Sequence, residues 1–290
     1  MRSLLFVPGD DENKLAEALS SGADALIVDL EDSVAPPAKS AARATAAAFL
    51  REARRRAPRP RLIVRVNPIG GGLTDADLDA VMPEAPDAIL LPNSLGGASV
   101  QQLGAKLAVH EAEHGLADGA TRILTIAAES ARALFGFASY IGCSRRLEGL
   151  AWDGEHLSAD LGAEANRLAD GAYAAPYRLA RALTLIGAAA ANVSAIDSVF
   201  ADFRDAEGLR AETLAARRDG FAAKMAIHPA QVPIINEVFT PSAEAIARAR
   251  AVIAAFAAAP GAGVVSLDGE MLDLTHWTRA KKTLARAGLE

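Results

Sequence analysis

Eight short apolar runs, separated mostly by segments with helical spacing, constrain the fold of this chain more than any other feature. The runs are apolar on both faces instead of alternating, which is typical of buried parallel strands. They span residues 3–7, 25–28, 62–66, 88–91, 122–127, 147–151, 193–196 and 224–227. Repeated βα units predict a parallel sheet, and eight of them favour a closed TIM-like (β/α)8 barrel of the α/β class.

An open, doubly wound sheet is the alternative arrangement of the same units. Against it, no Gly-x-Gly-x-x-Gly turn follows the first run, and no Gly-x-x-x-x-Gly-Lys-Ser/Thr motif occurs in the sequence. The 290 residues also suit one barrel of about 250 residues with an extension. We therefore predict the barrel.

The sequence changes character after residue 238. Ser242 is a predicted N-cap for a helix over 242–257, and Pro260-Gly261 follows this helix. Asp268-Gly269 is a turn signal between two short apolar runs, which indicates a small hairpin. A basic helix over 274–287 closes the chain. We predict a barrel over 1–238 and a C-terminal helical and hairpin lid, or oligomer-contact segment, over 239–290.

Charge and cysteine content exclude several classes of function. The net charge is −6 and the isoelectric point about 5.5, which argues against a nucleic-acid partner. Cys143 is the single cysteine, so an intramolecular disulfide and a cysteine-based zinc site are excluded. No stretch approaches the ~20 apolar residues of a membrane span, and the first residues do not resemble a signal peptide. We expect a cytoplasmic enzyme without a membrane partner.

Polar side chains at the carboxyl ends of the strands are the candidate site residues, because barrel enzymes carry their chemistry there. Glu129 follows the fifth run, where a carboxylate suits Mg²⁺; a loop glutamate that interacts with a helix dipole is the alternative. Arg65 lies within the third run and could hold a substrate carboxylate or stabilise an enolate oxygen. A salt bridge from Arg65 to an acid after the second run is its alternative role.

Further candidates end the second, sixth and seventh runs. Asp29 and Glu31 are two residues apart, so an extended backbone directs both the same way. They could form an acidic shell or orient Arg65, and a solvated acidic turn is the alternative. Asp29, Asp197 and Glu129 are predicted to contact the substrate, and His156 follows the sixth run.

Motifs along almost the whole chain resemble those of the HpcH/HpaI aldolase/citrate lyase family. The resemblance rests on several segments in the family's order, namely Arg2-Ser3-Leu4-Leu5-Phe6-Val7-Pro8-Gly9, Asp29-Leu30-Glu31-Asp32-Ser33-Val34, Arg65-Val66-Asn67-Pro68, Ile227-His228-Pro229-Ala230-Gln231, Phe239-Thr240-Pro241-Ser242 and Asp268-Gly269-Glu270-Met271-Leu272-Asp273.

The resemblance implies a TIM-like barrel that assembles as a homotrimer or a dimer of trimers. It also implies a Mg²⁺-dependent carbon–carbon lyase that cleaves citryl-CoA- or malyl-CoA-type thioesters by a Claisen-type retro-condensation. Arg65 would bind the substrate and act in catalysis, and Glu129 would be a metal ligand. Asp273 would match a lid aspartate that reaches a neighbouring subunit's site as general acid/base.

Two positions depart from the family pattern. His156 stands where the family motif, which resembles Gly-Ala-Glu-Asp-Leu, has a metal-binding aspartate, and Asn93 stands where many relatives have lysine. Imidazole suits zinc, nickel or iron better than Mg²⁺, so another divalent metal is an alternative. Asp153 or Asp160 could instead replace the missing carboxylate. The rival functions are a 4-hydroxy-2-oxoacid aldolase, and a catalytically reduced member that binds CoA esters or a partner without cleavage.

Overall fold

Eight parallel strands form a closed barrel in the computed structural model, which describes residues 1–289. The strands pair in chain order, and the eighth pairs with the first. They are β1 (Ser3–Pro8), β2 (Ala25–Asp29), β3 (Arg61–Arg65), β4 (Ala88–Leu91), β5 (Arg122–Ile126), β6 (Leu147–Ala151), β7 (Ser194–Asp197) and β8 (Ala223–Ala226). The predicted TIM-like barrel is confirmed, and each strand matches its predicted run within one residue at either end.

Helices follow the strands and cover the outside of the barrel. They are α1 (Glu12–Ala18), α2 (Lys39–Arg54), α3 (Thr74–Val81), α4 (Gly97–Glu113), α5 (Ala131–Leu134), α6 (Gly154–Leu161), α7 (Ala175–Ala190), α8 (Ala206–Asp219) and α9 (Val232–Phe239). The pattern does not predict α3, α5, α6 and α9, because helices of eight residues or fewer give little periodicity. Among the described residues, none of the helices combines the length and apolar content of a membrane span.

The barrel interior is one apolar cluster to which all eight strands contribute. Its buried members are Leu4, Ala25, Ile27, Ile63, Ala88, Leu90, Leu124, Ile126, Ala151, Ile196, Ala223 and Met225. Side chains alternate along a strand, so the residue two positions after an interior one also points inward. Asp29 follows Ile27 and Arg65 follows Ile63 in this way, whereas Asp197 comes directly after Ile196 and points outward. The alternation of side chains along each strand therefore determines which polar side chains point into the mouth of the barrel.

The chain divides into two compact units, Met1–Asn236 and a second that begins at Glu237. The division lies beside the predicted boundary between residues 238 and 239. The second unit contains α10 (Ala243–Ala257), β9 (Val264–Leu267), β10 (Glu270–Asp273) and α11 (Leu274–Arg286), with its own apolar core.

Both local predictions in the second unit are confirmed. Ser242 is the N-cap of α10, and its hydroxyl accepts a hydrogen bond of 3.1 Å from the Ala245 amide. Asp268 and Gly269 have φ of 53° and 81°, and they join the antiparallel strands β9 and β10. Positive φ at both central residues is the requirement of a type I′ hairpin turn, which explains the Asp-Gly pair.

Candidate active site at the barrel mouth

Asp29 and Arg65 face each other at the mouth of the barrel. They end β2 and β3 and are partners in the strand register. Arg65 Nε donates to Asp29 Oδ1 and Nη2 donates to Oδ2, both at 2.7 Å, so the pair is bidentate. The guanidinium carbon also lies 4.7 Å from the ring centroid of Phe6, in a cation–π contact. Both charged side chains are buried.

Two further acids after β2 complete the environment of Arg65. Its Nη1 donates to Asp32 Oδ2 at 2.9 Å and lies 3.2 Å from Glu31 Oε2. Lys39 Nζ donates to the carbonyls of Leu30 and Glu31 at 2.7 and 2.6 Å, which fixes the acidic loop. Arg65 therefore lies inside the mouth and makes a salt bridge to the acids after the second strand, which was the alternative role predicted from the sequence.

The ionisation of these acids differs because their partners differ. Burial alone would raise the pKa of Asp29, but the hydrogen bonds and charge of Arg65 hold it below its ordinary value. Glu31 has no such bidentate partner, and burial raises its pKa to about 7 in spite of the charge of Arg65. Arg65 stays charged, because its acidic partners raise its pKa against the effect of burial.

Glu129 lies at the mouth, three residues after the end of β5, and it is 2% exposed. Its Oε2 accepts a hydrogen bond from the Asn93 amide, whose residue has a φ of 50° in the left-handed region that asparagine tolerates. Its Oε1 is buried and has no hydrogen-bond partner within residues 1–289. Burial, together with the charges of Asp153 and Glu31, raises the pKa of Glu129 to about 8.

Asp153 and His156 lie beside Glu129 at the start of α6. Asp153 is the N-cap, and its Oδ1 accepts from the amides of Glu155 and His156 at 2.8 and 3.2 Å. Its Oδ2 lies 3.1 Å from His156 Nδ1, and His156 Nε2 lies 3.3 Å from Asp32 Oδ2. The hydrogen bond to Asp153, and then that to Asp32, raises the pKa of His156 to about 11. Asp32 thus links the imidazole to Arg65.

Donor atoms of Glu129, Asp153 and His156 converge, all within 4.8 Å of one another. The unpartnered Glu129 Oε1 is the acceptor that a cation would satisfy. Two carboxylates suit Mg²⁺ or Mn²⁺, and the imidazole of His156 extends the fit to iron and zinc once the metal has displaced its proton. The residues present therefore fit a divalent metal ion.

The sequence offered Asp153 only as an alternative to His156, and the structure brings both into the cluster. The available signal was an N-cap aspartate three residues before the histidine, which places both on the first turn of a helix. Asp160, the other candidate, accepts instead from the Ala131 amide at 2.7 Å.

Asp197 lies outside the mouth, because β7 turns it toward the helices. Its Oδ1 accepts from Trp152 Nε1 at 2.9 Å and from Arg181 Nε at 3.2 Å, and its Oδ2 accepts from Lys224 Nζ at 3.0 Å. Lys224 Nζ also donates to Glu212 at 2.8 Å. The expected substrate contact of Asp197 is thus replaced by a buried ion network that joins β7 and β8 to α7 and α8.

Asp273 belongs to the second unit, where it is the N-cap of α11. Its Oδ1 accepts from the Thr275 amide at 2.9 Å and lies 2.7 Å from His276 Nδ1. Hydrogen bonds from Thr275 and then His276 hold the pKa of Asp273 below its ordinary value, so it is a carboxylate at neutral pH. Its role as general acid/base stays a prediction.

Two protein-family models match this chain. A family model described as HpcH/HpaI aldolase/citrate lyase matches residues 2–229. A second, described as a C–C bond lyase of the TIM-barrel fold, matches residues 177–289. The chain belongs to the HpcH/HpaI aldolase/citrate lyase family. The resemblance carried by the sequence motifs is thereby confirmed.

Relatives in the HpcH/HpaI aldolase/citrate lyase family match this chain almost end to end. A citrate lyase subunit beta-like protein of Mycobacterium tuberculosis is 35% identical, over 98% of this chain and 94% of the relative. A (3S)-malyl-CoA thioesterase of Cereibacter sphaeroides is 36% identical, over 99% and 94%. The crystal structure of CitE from M. tuberculosis with magnesium, acetoacetate and coenzyme A superposes with a TM-score of 0.77, at 33% identity over 99% of this chain and 98% of that chain.

Proposed function

We propose that this protein is a divalent-metal-dependent carbon–carbon lyase that cleaves a citryl-CoA- or malyl-CoA-type 3-hydroxyacyl thioester. The observation that carries the proposal is the convergence of Glu129, Asp153 and His156 within 4.8 Å at the mouth of a family barrel. The related CitE structure, which contains magnesium, acetoacetate and coenzyme A, supports the same cation and thioester chemistry.

The charge of the mouth explains why a cation is needed. The carboxylates of Asp29, Asp32 and Asp153 stand there against two cations, Arg65 and His156. Glu31 and Glu129 add negative charge as they ionise, at pKa values of about 7 and about 8. A 3-hydroxyacyl substrate with a free carboxylate is an anion, and this excess of negative charge would repel it. A divalent ion held by Glu129 and Asp153, with His156 as a third ligand once its proton has been displaced, would reverse the local sign and would allow the substrate to bind.

When bound, the ion supplies Lewis acidity toward the substrate's hydroxyl and carboxylate oxygens. The protein's own residues then have separate tasks in cleavage. A base removes the hydroxyl proton, the bond between Cα and Cβ breaks, and its electron pair passes to the thioester as an enolate. Arg65 stabilises that enolate oxygen, and the bidentate bond to Asp29 fixes the plane of its guanidinium. Protonation at Cα releases the acyl-CoA product.

Asp273 is the proton-transfer group in this proposal. It is supplied by the lid of a neighbouring subunit in a homotrimer or a dimer of trimers. Its lowered pKa leaves it ionised, which is the state that accepts the hydroxyl proton. A CoA ester as substrate and a single cysteine both suit a cytoplasmic location.

A product assay tests the proposed function. The purified protein is incubated with malyl-CoA and with citryl-CoA in EDTA, Mg²⁺ or Mn²⁺, and acyl-CoA, oxo acid and free CoA are measured separately. We expect metal-dependent formation of acyl-CoA and oxo acid in equal amounts. Free CoA without oxo acid would instead show hydrolysis, the activity named for the Cereibacter relative. Turnover of only a free 4-hydroxy-2-oxo acid, or binding without turnover, would likewise overturn the proposal.

A further inference from the structure

The last turn of α4 carries the sequence His110-Glu111-Ala112-Glu113-His114. We propose that His110, Glu113 and His114 form a second metal site, for a divalent transition-metal ion of the zinc class. The helix starts after β4 and ends before β5, so this segment lies at the amino ends of the strands. The site is therefore at the opposite end of the barrel from Glu129.

Helical spacing brings the donors of this site together. Residues four apart share a helix face, and the rings of His110 and His114 are nearly parallel, with an angle of 9° and centroids 6.3 Å apart. One donor atom from each of His110, Glu113 and His114 lies within 4.8 Å of the others. The side chains of Glu113 and His114 are exposed, so small rotations can shorten these distances to coordination length.

His110 supplies an independent sign that a ligand belongs here. Its Nδ1 is buried and has no hydrogen-bond partner in the described part of the chain. The nearest carboxylate oxygens are Glu113 Oε2, 3.8 Å from Nδ1, and Asp79 Oδ1, 3.7 Å from Nε2. Both distances exceed a hydrogen bond. The ring is thus placed between two negative groups without bonding to either, which is an arrangement that a bound cation would satisfy.

Glu111 shows what this site cannot do. The segment matches the His-Glu-x-x-His pattern of zinc peptidases, in which the glutamate is the general base. Here Glu111 accepts from Arg146 Nη1 and Nη2 at 2.7 Å, and from the amides of Thr121 and Gly119 at 2.8 and 2.9 Å. It is 1% exposed. A fully bonded glutamate cannot activate water, so the site binds metal without peptidase chemistry.

Glu111 instead fixes the histidines. Its bonds tie the end of α4 to Thr121, just before β5, and to Arg146, just before β6. The backbone that carries His110 and His114 is therefore held against the barrel. Two imidazoles with one or two carboxylates form the donor set that zinc, nickel and copper prefer, and Mg²⁺ is selected against.

Calorimetric titration with Zn²⁺ tests the second site. The background is Glu129→Gln, which removes a mouth ligand and weakens binding there, so the Zn²⁺ lost on His114→Gln is assigned to the α4 site. We expect this protein to bind one Zn²⁺ per chain, and His114→Gln in the same background to lose that ion. His110→Gln checks the second imidazole. Mg²⁺ in place of Zn²⁺ should give no binding in this background.

Matched controls separate coordination from surface charge. Asp79→Asn should weaken Zn²⁺ binding, whereas Asp75→Asn, the same change on the same helix, should not, because Asp75 contacts Lys106 and not His110. His114 is exposed, so His114→Gln should keep the melting temperature and, in the otherwise unchanged protein, the Mg²⁺-supported activity. Unchanged Zn²⁺ stoichiometry and affinity in His114→Gln would overturn the proposal.

Discussion

Asp29 and Arg65 end two neighbouring strands in register and are joined by two parallel hydrogen bonds of 2.7 Å. The carboxylate therefore sets the plane and position of the guanidinium before any substrate arrives. Arg65 in turn keeps Asp29 ionised in a buried place. The pair makes the Arg65 guanidinium a rigid part of the barrel mouth.

Arg65→Lys should lower kcat/KM for thioester cleavage by about 10²-fold or more, because an ammonium keeps the charge but loses the planar fork. Arg61→Lys is the matched control, since Arg61 begins the same strand at the other end of the barrel and pairs with Glu148 near the surface. We expect it to retain nearly full activity. Steady-state kinetics on both variants test this prediction. Unchanged kinetics in Arg65→Lys would exclude a role for Arg65 in the site.

The metal-free protein should lose stability as pH rises from about 5 to about 8. The pKa of Glu129 is about 8 in the folded chain against 4.5 as its ordinary value, so the folded state holds more protons in this window. Glu31, with a pKa of about 7, acts with the same sign, as does His156 above about pH 6.5.

Melting temperatures measured in EDTA across this window check the pH dependence. Glu129→Gln removes the contribution of Glu129 and should show a shallower decline, and added Mn²⁺ should flatten the wild-type curve. A melting temperature that rises over this range, or identical curves for wild type and Glu129→Gln, would contradict the assignment.

Asp153→Asn should weaken Mn²⁺ binding by at least about tenfold, because the side chain loses its charge as a ligand. Asparagine is as good an N-cap as aspartate, so α6 should persist, and the melting temperature should fall only as far as the lost ion pair with His156 requires. Asp160→Asn, an identical change on the same helix, should bind Mn²⁺ as the wild type does. Calorimetry on the three proteins tests this, and equal affinities would exclude Asp153 as a ligand.

His156→Asp should tighten Mg²⁺ binding, since a hard carboxylate replaces an imidazole next to Glu129 and Asp153. The same change should lower the melting temperature without metal, because Asp32 and Asp153 lose their cationic partner. Titration with Mg²⁺ and thermal unfolding in EDTA measure the two effects. Equal Mg²⁺ affinity in both proteins would show that residue 156 is not in the coordination sphere.

Asp273→Asn should abolish cleavage while leaving metal binding at the mouth intact. If the lid serves a neighbouring subunit, mixing Asp273→Asn with the Arg65→Lys variant should restore part of the activity in hybrid oligomers. Asp268→Asn, in the turn of the same hairpin, is the control that should retain activity. Lack of rescue in verified hybrids would indicate a lid that acts on its own chain.

The barrel was determined by the sequence itself. Each buried strand is a short run that is apolar on both faces. This pattern can be recognised within the run itself, without knowing which strands lie beside it. The N-cap Ser242 and the Asp268-Gly269 turn are equally local, because their chemistry is set by the backbone conformation of a few residues. Once the interior side of β2 and β3 is known, the two-residue period of a strand also predicts that Asp29 and Arg65 point inward.

Only the tertiary structure decided which polar groups share a site. Asp153 and His156 come from the start of α6, Glu129 from the loop after β5 and Asp32 from the loop after β2. The distances among them depend on barrel closure. Asp197 was predicted at the mouth but lies elsewhere. It directly follows the inward-facing Ile196 on β7, so it points outward and bonds to Lys224 in a buried network. Side-chain direction and partner choice are properties of packed neighbours, which sequence spacing alone does not contain.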